Sequence, residues 1–265
     1  MRNVVLLTIG ADPEVFLQHS KSGKYISAVG LIGGTKQAPR QLERPGFALQ
    51  EDNVAVEFNI PPCTNIKSFV ESIQWSIKRI SKEVKAQKLK VAIIPAAHFD
   101  PSELTSAQAK HAGCDPDYNA WTKFMNPRPR VAEGTLRTGA GHIHIGIKNF
   151  HEFSREAFVK SLDLNLGVGS VLLDTDILRK NLYGKSGAYR PTFYGLEYRV
   201  LSNFWLKSSK LITWVYKQVH NSYTMVEQKG EEFFDDIGEE IQACINTSDK
   251  GMSRKLLKRH SIAYL

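Results

Sequence analysis

Short runs in which apolar and polar residues alternate, separated by glycine and proline, dominate the chain up to Ile60. VVLLTI (Val4–Ile9), EVFLQH (Glu14–His19), YISAVG (Tyr25–Gly30) and NVAVEFNI (Asn53–Ile60) predict strands. The period then changes. Phe69, Ile73, Ile77, Ile80 and Val84 fall at helical spacing and predict a helix from about Asn65 to Lys85. A strand over KVAIIPA (Lys90–Ala96) comes next. The polar stretch Asp100 to Thr138 holds four prolines and reads as a long substrate-side loop, about 100–138. A strand around HIHIGI (His142–Ile147), a helix from about Ser154 to Asp174, a strand from about Tyr194 to Leu201 and further helices complete the order. The fold class this predicts is α+β, a largely antiparallel sheet with helices packed against it. With no repeat and no linker-like break, residues 1–265 are expected to form a single catalytic domain.

Strand parity assigns the faces, because alternate residues point to opposite sides. On the alternation, Asp12 and Glu14 share a side opposite Val15 and Leu17. In EDNVAVEFNI, Glu51, Asn53, Glu57 and Asn59 share a side opposite Val54, Val56, Phe58 and Ile60. His142 and His144 oppose Ile143, Ile145 and Ile147, and Glu197 and Arg199 oppose Leu196, Tyr198 and Val200. Each strand alone is compatible with an ordinary solvated face, but such faces normally carry Thr, Lys, Ser and Gln. Four faces bearing carboxylates and imidazoles point to an acidic cleft that binds divalent metal. Many carboxylates with few His and no nearby Cys favour Mg2+ or Mn2+, in two or more ions, over structural zinc. Magnesium in such a cleft commonly accompanies phosphates. Arg179, Lys185, Arg190 and Arg199 lie in the following segment as candidate phosphate partners. Neither a P-loop nor a dinucleotide-binding glycine motif is present.

Composition narrows the class. Of the 265 residues 42% are hydrophobic and 23% charged, as in an ordinary globular protein. No apolar run approaches the roughly 20 residues of a membrane span, so no membrane partner is expected. VVLLTI is too short for a signal peptide. Cys63, Cys114 and Cys244 are far apart, which fits a reducing cytoplasm and excludes zinc-finger spacing. The formal charge of +8 suits polyanions or a nucleoside triphosphate, but the bases are dispersed. RKLLKRH (Arg254–His260) reads as a solvated helix end.

Taken in order, the motifs resemble a known superfamily. GAGHIHIG resembles the Gly-rich His-x-His strand of glutamine synthetase, GLEYRVL its Glu-x-Arg strand, and ADPE its first acidic strand. EDNVAVEFN is similar to the paired-glutamate strand of the γ-glutamyl ligases. The whole set, GADPEVF, QEDNVAVEFNIPP, the His-x-His strand and YGLEYRVLSNFW, resembles the phage-type carboxylate–amine ligases (amidoligases) over about Gly10 to Trp205. The resemblance implies a glutamine-synthetase-like fold, with helices on one face of a curved sheet and a metal and ATP cleft on the other. It implies an ATP-dependent ligase that forms an amide through an acyl phosphate, with small-molecule or peptide carboxylate and amine substrates. Nucleic acid can serve as acceptor but is not required. The implied location is the cytoplasm, that of the host if the chain is phage-encoded.

Carried over by position, Glu14, Glu57, His142 and Glu197 become metal ligands, with Asp12 and Glu51 as additional ones. Arg199, Arg190 and Glu57 become catalytic, and Arg199, Arg190, Lys185 and His144 face the ATP phosphates. Arg137, Lys36 and Tyr118 are the remaining substrate candidates. Asp12 stands where glutamine synthetases place a glutamate. Two other readings stay open at this point: a metal-dependent hydrolase using the His-x-His pair, and a catalytically inactive nucleic-acid-binding relative.

Overall fold

The computed structural model describes residues 7–110, 117–127, 134–147, 154–175 and 177–265. Leu7–Ala11 (β1) passes through Asp12 and Pro13 into Glu14–His19 (β2), then Tyr25–Ile26 (β3) and Arg40–Gln41 (β4). Ala48–Asp52 (β5) and Ala55–Cys63 (β6) lead to helix α1, Ile66–Val84, which is capped by the Asn65 side chain accepting from Ser68 N. Leu89–Ala92 (β7) and Ala96–His98 (β8) follow, then the short helix Ala107–Lys110 (α2), Tyr118–Asn119 (β9), Leu136–Thr138 (β10) and Ile143–Ile147 (β11). Helices Arg155–Leu162 (α3) and Val168–Leu173 (α4) flank a π-helical turn, Asp163–Gly167. Leu178–Leu182 (α5), Ala188–Thr192 (β12) and Gly195–Tyr198 (β13) precede the C-terminal helices Ser209–Lys229 (α6), Glu232–Asp236 (α7), Gly238–Thr247 (α8) and Lys250–Arg259 (α9).

Among the described residues, eleven strands join in one sheet along the path β3-β2-β6-β1-β11-β13-β12-β9, with β5 on β6, β4 on β5 and β7 on β2. Its ladders are antiparallel throughout. The protein is therefore α+β, as the alternation predicts. Ile9, Ile143, Ile145, Leu196, Val56 and Phe58 are fully buried in the main core with residues of α1, α3 and α6. The opposite face carries a smaller core, in which Phe16 and Phe99 meet edge to face at 5.3 Å and Val54, Ala55 and Leu104 join them. That second core anchors the separate β8–β10 pair against one side of the polar face. Among the described residues, no helix is long and apolar enough to cross a membrane.

Two expectations need correction. EDNVAVEFNI is not one strand: Asp52 pairs with Ala55, and Asn53 takes a left-handed conformation (φ 55°) at a two-residue hairpin turn. Parity is reset across that turn, so Gln50 lies opposite Glu57 while Glu51 lies opposite Val56. The stretch 100–138 is also less loop-like than its prolines suggest. It holds a 3-10 turn at Pro101–Leu104, α2, β9 on the edge of the main sheet and β10 on β8; Cys114 and part of this stretch fall outside the described residues.

The entry into β11 is fixed by close packing. A side chain at Gly141 would place its Cβ 2.3 Å from the Ser202 carbonyl oxygen. The fully buried Trp205 indole donates to the Gly141 carbonyl oxygen at 3.2 Å and stacks on Phe69 with centroids 6.0 Å apart. Trp205→Ala is expected to lower the free energy of unfolding by about 3–5 kcal/mol in urea titrations. A loss below about 1 kcal/mol would mean that this contact does not hold the strand.

Candidate active site

Directly opposed residues of antiparallel strands project from the same face. Across β1, β11, β13 and β12 one such row reads Gly10, His144, Glu197, Arg190. A second row, across β2, β6 and β5, reads Glu14, Glu57, Gln50. Asp12, at the bend between β1 and β2, sits where the two rows approach. The polar face opens into a cleft of about 780 Å³, lined among others by Asp12, Glu14, Asp52, Glu57, His142, Arg190 and Arg199.

Two groups of potential ligands lie close enough to hold an ion: Asp12, His144 and Glu197, and Glu14, Asp52 and Glu57. Beside the first, His142 Nδ1 stands 3.6 Å from Asp12 Oδ1 and 3.2 Å from Glu197 Oε1. His144 Nε2 lies 3.0 Å from Asp12 Oδ2, and its Nδ1 contacts the Tyr194 hydroxyl. Burial opposes the Asp12 charge, but the imidazoles of His144 and His142 override it and hold the carboxyl well below its usual range. Burial, followed by the Arg199 charge, pushes the His142 pKa down; for His144 the adjacent Asp12 carboxylate outweighs burial and pushes it up.

In the second group the balance is reversed. Glu14 Oε2 accepts from Ala140 N at 2.9 Å, yet burial and then Asp52 push its pKa up to about 8. Burial, with Asp12, Glu14 and Asp52 adding to it, raises Glu57 well above the carboxylate range. A cation placed among these carboxylates would relieve both effects.

The arginines meet at Glu197. Arg190 Nη1 donates to Glu197 Oε2 at 3.0 Å, and Arg199 Nη1 donates to Glu197 Oε1. Arg199 Nε also donates to Asp117 Oδ2 at 3.4 Å. Arg179 reaches the cleft from α5, with its guanidinium on the backbone carbonyls of Val200 and Arg199.

The structure thus brings Asp12, Glu14, Glu57, His142, Arg190 and Arg199 to one cleft, with Glu197 and His144 directly behind them. Other candidates are placed differently. Glu51 lines the cleft wall, but its Oε1 accepts from Ile32 N (3.1 Å) and Gly33 N (2.7 Å), anchoring the glycine-rich loop. Asp52, rather than Glu51, joins Glu14 and Glu57 in the carboxylate cluster. Lys185 lies outside the cleft lining, its ammonium 3.5 Å from the Asn246 carbonyl oxygen. Tyr118 is exposed on β9 and packs near Tyr189, with centroids 6.2 Å apart, outside the cleft lining. Arg137 lines the cleft wall but donates to Asn53 Oδ1 and to the carbonyls of Ala109, Gly134 and Leu136, so it acts as a clasp. Lys36 lies at the rim. Asp52 and Asp117 escape parity reasoning. The Asp-Asn pair at 52–53 is the turn signal that would have found the first.

No protein-family model matches the chain, and no curated protein sequence matches it. Similar solved structures include a Plasmodium falciparum glutamine synthetase (TM-score 0.39, 8% identity), with 81% of this chain and 52% of that one covered. Another is GmaS in a complex with ADP (TM-score 0.38, 10% identity, 97% of this chain and 70% of that one). The chain spans about half the length of the first.

The raised carboxyls have a consequence for stability. A group whose folded pKa lies above its unfolded value stabilises the fold below the unfolded pKa, and that contribution is lost as pH rises through the folded value. For Glu14 the window runs from its ordinary 4.5 to about 8. Metal-free protein is therefore expected to lose melting temperature as pH rises across this range. Glu14→Gln should flatten the slope, and millimolar Mg2+ or Mn2+ should restore the wild-type melting temperature at the high end. A pH-independent melting temperature, unmoved by either, would contradict a strained carboxylate cluster.

Proposed function

We propose that this protein is an ATP- and divalent-metal-dependent carboxylate–amine ligase of the phage amidoligase kind. One observation carries the reading: two separate ligand clusters and two arginines converge on a single cleft. The donor set fits magnesium or manganese, being mostly carboxylate oxygen with imidazole and no thiolate. Asp12 Oδ1 is buried without a hydrogen-bond partner, a costly arrangement that an ion at Asp12, His144 and Glu197 would repair. Asp12, His144 and Glu197, and Glu14, Asp52 and Glu57, would hold divalent ions, which would supply positive charge against the phosphates of ATP.

The side chains of the cleft then have distinct tasks. Arg199 and Arg190 hold positive charge against the transferring γ-phosphoryl group as the substrate carboxylate attacks it and ADP leaves. Because Glu197 already fixes both guanidiniums, little reorganisation is needed when charge develops. Attack of the amine on the acyl phosphate forms the amide bond and breaks the carbon–oxygen bond to phosphate. Glu57, whose carboxyl lines the cleft, takes the proton that the amine sheds. His142 contacts Glu197 and Arg199 and keeps that pair in place.

The test is ADP release over pools of carboxylic acids and amines, with products identified by mass spectrometry. ADP should accumulate only when acid and amine are both present. Arg199→Ala should lower kcat by about 100-fold or more with the fold intact, as removal of a preorganised charge does. Turnover without ATP, or full turnover by Arg199→Ala, would overturn the reading.

A further inference from the structure

Next to the cleft lies a second cavity of about 330 Å³ that the ligase chemistry above leaves unused. It shares Asp12, Lys36 and Glu57 with the cleft, and its wall beyond them carries Gln41, Gln50 and Asn59. Strand register explains why three amides gather there. Gln50 is paired with Glu57, and Ala48 is paired with both Gln41 and Asn59, so all project from one face of β4, β5 and β6. Gln50 is only 4% exposed, and its amide has no hydrogen-bond partner among the described residues. A buried amide is satisfied only by something that enters the cavity.

The shared end suits an N–H donor. Asp12 and Glu57 present acceptor oxygens there, beside Lys36. An amine nitrogen, whose N–H groups donate, is matched at that end, and a second carboxylate is not. Past that end the polar lining is neutral. Amide side chains both donate and accept, so they match a carboxamide or a peptide group. A carboxylate tail would give up water without a cation to balance it.

We infer that this cavity receives the amine substrate, with its nitrogen at the Asp12–Glu57 end and an uncharged carboxamide or peptide tail against Gln50 and Asn59. The inference rests on the ligase reading and adds to it a substrate class. An amine seated this way reaches the cleft past Glu57, the residue placed to take its proton.

Calorimetric titration of the full chain with glycylglycinamide and with glycylglycine isolates the tail, because the two share one amine head. Both titrations are run with Mg2+ and a non-hydrolysable ATP analogue, whose own binding is measured first. The amide should bind about tenfold more tightly than the dipeptide acid. Gln50→Leu and Asn59→Leu should each weaken the amide and leave nucleotide binding unchanged; Asn59, being half-buried, serves if Gln50→Leu does not fold. Equal binding of the two probes, tighter binding of glycylglycine, or amide binding unmoved by the substitutions would overturn the inference while nucleotide binding keeps the ligase reading intact. Failure of the nucleotide analogue to bind would overturn both.

Discussion

The cleft depends on strand register. His144 sits opposite Glu197, and Glu14 opposite Glu57, because β1, β11, β13 and β12 pair in one alignment and β2, β6 and β5 in another. A slip of one residue in any ladder would turn its ligands into the core and its isoleucines into the cleft. The apolar face makes such a slip costly, since Ile143, Ile145, Leu196 and Tyr198 are wholly buried there. The same packing that stabilises the sheet therefore aims the chemistry.

Gathering so many carboxylates on one face opposes folding, and each group is handled differently. Asp12 is matched by two imidazoles and Glu197 by two guanidiniums, so those positions are close to neutral as pairs. Glu14, Asp52 and Glu57 are crowded together, with the Ala140 amide and the charge of Arg179 opposing their mutual repulsion at Glu14. This second cluster is where an added cation stabilises most. The contrast gives the two clusters different characters: one matched by the protein's own basic side chains, the other with carboxylates in excess.

Much of this arrangement is legible in the sequence. The alternation around His142–Ile147 and Gly195–Arg199 identifies the faces, since β11 and β13 are unbroken and His142 and Arg199 directly flank them. Helix α1 follows from apolar spacing and the Asn65 cap. Parity misleads where the strand breaks. Across Asp52–Ala55 the hairpin exchanges Glu51 for Asp52, and only the left-handed Asn53 reveals it. Lys185 and Arg199 are both basic residues near the same strands, but Arg199 directly follows β13 and Lys185 lies in the segment before β12. Its partner is set by α8, which is remote in sequence. Asp117 reaches Arg199 from a stretch without periodicity, so nothing local marks it.

The central claim is that the two clusters and the arginines between them form one metal–phosphate site. Anomalous diffraction from crystals grown with Mn2+ and a non-hydrolysable ATP analogue tests this most directly. The account predicts manganese at Asp12, His144 and Glu197 and at Glu14, Asp52 and Glu57, with the triphosphate spanning them and its terminal phosphate on Arg190 and Arg199. Manganese absent from both clusters, or nucleotide bound away from them, would contradict it.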